Sequence, residues 1–140
     1  MLFRSRRRAA AAPVPVDVLP EMAETVSLGD RSVDTVLVTF ALCTIPDVSA
    51  ALLGARRVLK PGGRLLFCEH GRSPEPDMLR RQQKIEPLWK RIFGGCHLTR
   101  DIPALVCDAG FEILEMDAGY MAKSPSIGGY LYRGAAQAVV

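Results

Sequence analysis

The sequence predicts an α/β fold built on a mostly parallel sheet that ends in an antiparallel hairpin. Two short, wholly apolar runs, residues 36–38 and 65–68, flank a segment with the period of an amphipathic helix. Such runs are typical of strands that are covered on both faces, as in parallel sheets. A strand, a helix and a second strand of these lengths make a βαβ unit, whose crossover is right-handed in nearly all proteins.

The helix of this unit carries signals at both ends. Asp47 is a good N-cap, and apolar residues then recur at spacings of three and four through residues 48–59. Basic residues up to Lys60 occupy the predicted last turn, where positive charge suits the helix dipole. The Pro-Gly-Gly tripeptide at 61–63 is expected to end the helix.

The second half of the chain continues the alternation of helices and strands. Residues 76–95 predict a basic amphipathic helix, which Pro87 is expected to kink or divide. A short helix capped at Gly110 precedes a strand over residues 111–116. Residues 130–135 are predicted to return antiparallel to that strand, after a loop rich in glycine and proline.

Length and charge limit the classes of function. A chain of 140 residues with 49% apolar residues is expected to form one compact domain. The net charge of +3 comes largely from an arm, residues 1–15, which we expect to be disordered. The arm contains Arg4, Arg6, Arg7 and Arg8. Because the remainder is close to neutral, we expect no binding to nucleic acid.

Hydropathy bears on where the protein resides. No stretch approaches the length of a membrane span and the start of the chain lacks the apolar segment of a secretory signal, so we expect a cytoplasmic protein. Peripheral contact with an anionic membrane through the basic helix at 76–95 stays open as an alternative to a solvated cationic face.

The four cysteines predict neither disulfides nor a metal. They are Cys43, Cys68, Cys96 and Cys107. They stand far apart and form no C-x-x-C pair. Cys68 with His70 and Cys96 with His97 could be combined on paper, but structural zinc sites have tighter spacing within each pair.

Two ionisable residues, Glu69 and His70, follow the second apolar run directly. In open parallel sheets ligands bind beyond the carboxyl ends of the strands, so both residues are expected on the binding rim, beside residues 40–44. The alternative is that they merely hydrate the end of a strand.

Three stretches, taken in order, carry a resemblance to a known family. AETVSLGDRSVDTVLVTFALCTIPD, RRVLKPGGRLLFCEH and GGCHLTRD together resemble the class I S-adenosylmethionine-dependent methyltransferases of the type 11 group. Within that group they most resemble the branch of thiol, phospholipid and quinone methyltransferases, over residues 22 to 135. The resemblance implies a Rossmann-like fold, S-adenosylmethionine as cofactor and a small-molecule acceptor: a thiol, a quinone precursor or a lipid head group.

The resemblance also implies roles for particular residues. The positions matching the cofactor-binding segments are Met22, Ala23, Thr39, Phe40, Ala41 and Leu42. The family has an acid where Met22 stands here, although Glu21 is next to it. Cys43 and Glu69 fall where the acceptor enters. His70 and His97 are the candidate bases for a thiol acceptor, each with a hydrogen-bonded structural role as its alternative.

One feature of the family is absent. Its members begin with a strand and a G-x-G-x-G turn, which needs glycine because only a bare backbone can approach the cofactor closely. The sequence contains no such turn, so residues 16–140 are expected to form the C-terminal part of a truncated methyltransferase domain. Two hypotheses follow: a truncated enzyme, or an inactive remnant that acts as a non-enzymatic partner subunit. Either predicts dimerisation through an exposed strand edge.

Overall fold

The computed structural model describes residues 2–139, with side chains from residue 4 onward. Its elements are α1 (Leu2–Ala10), β1 (Val33–Thr39), α2 (Val48–Val58), β2 (Leu59–His70), α3 (Pro76–Ile92), α4 (Ile102–Asp108), β3 (Phe111–Tyr120) and β4 (Tyr130–Ala138), with a 3₁₀ turn at Ala23–Thr25. The predicted order of helices and strands is confirmed, and β2, β3 and β4 are each longer than predicted.

The described strands form one sheet in the order β1-β2-β4-β3. β1 and β2 are parallel, and β4 is antiparallel to both β2 and β3. Three strands therefore run in one direction and β4 runs against them, which confirms the predicted hairpin. The sequence did not predict that β4 lies between β2 and β3, so that only the β1/β2 pairing is parallel.

The helix α2 crosses from β1 to β2 as predicted. Its N-cap Asp47 accepts a hydrogen bond from the Ala50 N–H at 2.9 Å. The predicted end of the helix is wrong: α2 ends at Val58, and Lys60 already belongs to β2. The tripeptide at 61–63 instead makes an irregularity in the β1/β2 register, where Gly62 has a φ of 79°.

The hydrophobic core lies between the sheet and the pair α2 and α4. It includes Leu52, Leu65, Phe67, Ile102 and Val106, each at most 3% exposed. These residues occur at the helical and strand periods predicted for the covered face.

Pro87 lies inside α3 and does not divide it. Proline removes one backbone donor from a helix. The turn before it is fixed by Gln82, a fully buried side chain that accepts from the Ser73 N–H at 2.8 Å and donates to the Ile127 carbonyl at 3.0 Å. The helix therefore continues through Pro87, and the part that precedes it is anchored by tertiary contacts.

The N-terminal arm differs from the expectation of disorder, since α1 is helical from Leu2 to Ala10. Alanine and arginine have high helix propensity, which explains the helix in a segment rich in both. The arginine side chains of the arm are exposed. Among residues 2–139, no helix combines the length and apolarity that crossing a membrane requires.

Candidate functional site

The carboxyl ends of β1 and β2 meet at one edge of the sheet. Thr39 is paired with Cys68, and the Phe40 N–H donates to the Cys68 carbonyl at 3.0 Å. The Phe40 ring packs edge-on against the His70 ring, with centroids 6.1 Å apart. The prediction that these strand ends lie together is thus confirmed.

Glu69 holds the turn that follows β1. Its side chain is fully buried, and Oε1 accepts a hydrogen bond from the Ala41 N–H at 2.8 Å. Burial raises the pKa of this carboxyl, although the nearby backbone N–H groups and the charge of Arg100 oppose the shift. Phe40, which precedes Ala41, has a φ of 49°. This conformation is rare for a bulky residue and persists only where its surroundings enforce it.

Arg100 holds the same loop from the other side. Its guanidinium donates to the carbonyls of Leu42 and Ile45, the latter at 2.8 Å. The path of residues 40–45 is therefore set by two buried or half-buried ionisable groups, Glu69 and Arg100. Sequence reasoning identified the first and missed the second, although Arg100 belongs to the GGCHLTRD stretch.

A close backbone approach brings that stretch next to the end of β2. The Arg72 N–H donates to the Arg100 carbonyl at 3.0 Å. A Cβ at Gly71 would lie 2.6 Å from the same oxygen, so the contact requires glycine there. His70 and Cys96 consequently meet, with Nε2 3.0 Å from Sγ.

His70 is enclosed rather than free at the mouth of the site. Its Nδ1 is buried and has no hydrogen-bond partner among the described residues. Burial lowers the pKa of the imidazole, which favours the neutral ring. Cys43 is also buried, and desolvation raises the pKa of its thiol to about 12.

His97 belongs to the GGCHLTRD stretch and contacts the loop that follows β1. The backbone N–H of His97 donates to the Cys43 carbonyl at 2.8 Å, and the ring nitrogen Nδ1 lies 3.2 Å from Oε1 of Glu86. Glu86 also accepts from the N–H of Thr99 at 2.9 Å, which fixes the carboxylate. The His97 side chain is 29% exposed. Burial and the positive charges of Arg100 and Lys90 lower the pKa of His97, against the opposing effect of Glu86.

A groove of about 410 Å³ runs along β1, α2 and the 3₁₀ turn. Four of the six residues predicted to bind the cofactor line it, namely Ala23, Thr39, Ala41 and Leu42. Met22 and Phe40 are exposed and do not line it. Its walls are apolar except for Thr39, so the groove suits the apolar faces of a ligand.

Known proteins resemble the chain in sequence. A family model described as a methyltransferase domain, of the type 11 group, matches residues 1–67. Over 91 residues the chain is 45% identical to the thiol S-methyltransferase TMT1B of Rattus norvegicus. The matched region covers 64% of this chain and 37% of that protein. Over 131 residues it is 30% identical to the ubiquinone/menaquinone biosynthesis C-methyltransferase UbiE of Bradyrhizobium diazoefficiens. This matched region covers 86% of this chain and 52% of that protein.

The fold has counterparts among solved structures. A SAM-dependent methyltransferase from Methanosarcina mazei superposes with a TM-score of 0.72 at 20% identity, over 97% of this chain and 76% of that one. The chain spans about half or less of the length of the two curated relatives described above. The match in sequence, together with this fold, places the chain in the class I S-adenosylmethionine-dependent methyltransferase family, in its type 11 group, whose cofactor is S-adenosylmethionine.

Proposed function

We propose that this chain binds S-adenosylmethionine in the groove along β1 and methylates a small thiol. The observation that carries the proposal is that the carboxyl ends of β1 and β2 lie side by side. There Thr39 and Ala41 line the groove, and the loop that follows β1 contacts His97 through the Cys43 carbonyl, although His97 itself does not line the groove. The similarity to a thiol S-methyltransferase supports a thiol as the acceptor.

The groove is proposed to hold the apolar faces of S-adenosylmethionine. Its volume of about 410 Å³ lies within the range of small-molecule sites. The sulfonium supplies both the methyl group and the leaving group, so the protein has to orient the reactants and exclude water. Ala23 and Leu42, which are far apart in the sequence, both contribute apolar surface to the wall of the groove.

His97 is proposed as the base that deprotonates the thiol. A hydrogen bond from Nδ1 to Glu86 would keep the proton on that nitrogen and leave Nε2 as the acceptor. The lowered pKa of His97 keeps the ring neutral near pH 7, the form that a base needs. His70 is less suited, because its Nε2 already contacts Cys96 and its Nδ1 is buried.

Glu69 and Cys43 are proposed to shape the acceptor entrance through the loop rather than by direct contact. Both side chains are at most 2% exposed. Phe40, which is 53% exposed beside His70, would instead present the apolar surface to the acceptor.

An assay of thiol methylation tests this assignment. The purified chain is incubated with a small alkyl thiol and labelled S-adenosylmethionine, and the methyl thioether is quantified. We expect His97→Gln to reduce the rate by about 10² to 10⁴, the usual contribution of a general base. Glu86→Gln should lose less and shift the acid limb of the pH–rate profile to lower pH, since Glu86 raises the pKa of His97. Glu112→Gln, an exposed change in β3, is the matched control.

Two results would count against the proposal. Equal rates for wild type and His97→Gln would show that His97 is not the base. No turnover by the wild-type chain, together with no rise in melting temperature in excess cofactor, would show that this chain is not an enzyme by itself. A ligand at 100 times its dissociation constant stabilises the folded state by about 2.7 kcal/mol.

A second candidate function is that of a non-enzymatic partner subunit. It is favoured by the open edge of β1, where Leu37 is 66% exposed. A free strand edge with apolar side chains can pair with another chain, a second copy included. Sedimentation at several concentrations, alone and with candidate partners, tests this.

The four free cysteines support a reducing compartment such as the cytoplasm.

A further inference from the structure

Three side chains with metal-binding atoms converge behind the loop that follows β1. The donor atoms of Cys43, His70 and Cys96 all lie within 4.8 Å of one another. The residues come from three separate parts of the fold: the loop after β1, the last residue of β2 and the turn after α3. Their spacing along the chain gives no sign of a shared site.

The cluster is buried, and few hydrogen-bond partners surround its polar atoms. Cys43 is 2% exposed and Cys96 is 6% exposed. The Cys96 sulfur lies 3.0 Å from Nε2 of His70. The Cys43 sulfur lies 3.4 Å from Thr44 Oγ1 and also interacts with the Cys96 side chain. Nδ1 of His70 is buried with no hydrogen-bond partner among the described residues. Buried polar atoms are ordinarily satisfied, so this set calls for an explanation.

The donor set matches the preference of one class of ion. Thiolate and imidazole ligands together suit Zn²⁺, which binds sulfur at about 2.3 Å and nitrogen at about 2.0 to 2.1 Å. Donors within 4.8 Å of one another can converge on such an ion by small side-chain rotations. We propose that Cys43, His70 and Cys96 bind one zinc ion, which ties the loop after β1 to the end of β2 and to the turn after α3.

The ion itself and the charge of Arg100 favour thiolates in this cluster, whereas desolvation and the charge of Glu69 oppose them at Cys43. As each Zn–S bond forms, the thiol releases its proton to the buffer, so two thiolates balance the two charges of the ion. Arg100 lies close enough to both cysteines to interact with them electrostatically. Three protein ligands leave a fourth position for a water molecule, as in zinc sites with two cysteines and one histidine.

Metal binding is measured directly and does not depend on activity. The freshly reduced chain is titrated with Zn²⁺ in competition with a chromophoric chelator, and then with Co²⁺, whose bonds to thiolates give an intense near-ultraviolet band. We expect one ion per chain and a thiolate–cobalt band. Cys96→Ser and Cys43→Ser should each weaken Zn²⁺ binding by more than about 100-fold, since even changes behind a ligand cost 10- to 100-fold.

Cys107→Ser is the matched control, because Cys107 is free, exposed and outside the cluster. It should bind Zn²⁺ as the wild type does. Circular dichroism of each variant without metal confirms that it is folded. The proposal fails if the wild type binds no Zn²⁺ at micromolar concentration, if Cys107→Ser loses as much affinity as Cys96→Ser, or if mass spectrometry finds a Cys43–Cys96 disulfide in the reduced preparation. A chain that binds zinc yet methylates no thiol would separate this site from the proposed enzyme.

Discussion

The two faces of the sheet differ in how the chain covers them. On one face Leu65 and Phe67 are buried, under α2 and α4. On the other face Leu66 is only half-buried, and its partner Leu37 in β1 is 66% exposed. Farther along the same face, Arg133 and Asp117 form an exposed ion pair at 2.5 Å.

The difference shows where the stability of this chain resides and which surface is left open. The covered face carries the closely packed side chains that stabilise a fold. The open face and the free edge of β1 combine apolar side chains with unpaired backbone groups, a combination that favours association. The proposed cofactor groove runs along this open edge, whereas the proposed zinc cluster is enclosed at the end of the sheet.

The largest effect should come from truncating the same residue type on the two faces. Leu65→Ala removes a fully buried side chain from the core and should lower the free energy of unfolding by about 2 to 5 kcal/mol. Leu37→Ala, at an exposed position, should change it by no more than about 0.5 kcal/mol. Urea denaturation followed by circular dichroism measures both. Similar losses for the two variants would mean that the open face is covered in solution.

A smaller effect should come from filling the space at two glycines in neighbouring strands. A Cβ at Gly134 in β4 would lie 2.5 Å from the Glu115 carbonyl and 2.7 Å from the Phe67 ring. Gly134→Ala should therefore destabilise the protein by about 1 to 3 kcal/mol, as overpacking does. Gly119 in β3 has nothing within 4 Å of such an atom, so Gly119→Ala is the control and should be close to neutral. A tolerated Gly134→Ala would show that the packing around Phe67 is looser than the structure indicates.

The smallest effect concerns the pH dependence of stability. Because the folded pKa of Glu69 is raised above its usual 4.5, its contribution to stability is fully present below that pH and is lost as pH rises through the folded pKa. Glu69→Gln keeps an oxygen for the Ala41 N–H and cannot ionise. We expect the melting temperature of Glu69→Gln, relative to wild type, to rise from pH 4.5 toward neutrality, in melts performed with a chelator. A difference that stays constant with pH, or that falls, would contradict the raised pKa.

Much of the local structure could be read from the sequence. Asp47 caps α2 as predicted, and the apolar runs around Val36 and Leu65 form the parallel pair. Two expectations differ from the structure. The Pro-Gly-Gly segment was expected to end a helix but makes an irregular stretch of β2. Of the two outcomes expected at Pro87, a kink or a division, the division does not occur. Gln82, which precedes Pro87 in α3, is anchored by hydrogen bonds to Ser73 and Ile127, and contacts between such distant residues are not visible in a local sequence pattern.

The sequence by itself determined the βαβ unit, the shared edge of β1 and β2, and the family, because these depend on periodicity and on motifs contained in single short stretches. Only the tertiary structure decided which side chains face one another at that edge. It enclosed His70 with Cys43 and Cys96, and it paired His97 with Glu86. These residues are separated by up to several dozen positions and meet only when the sheet and α3 pack. No spacing rule along the chain encodes that meeting.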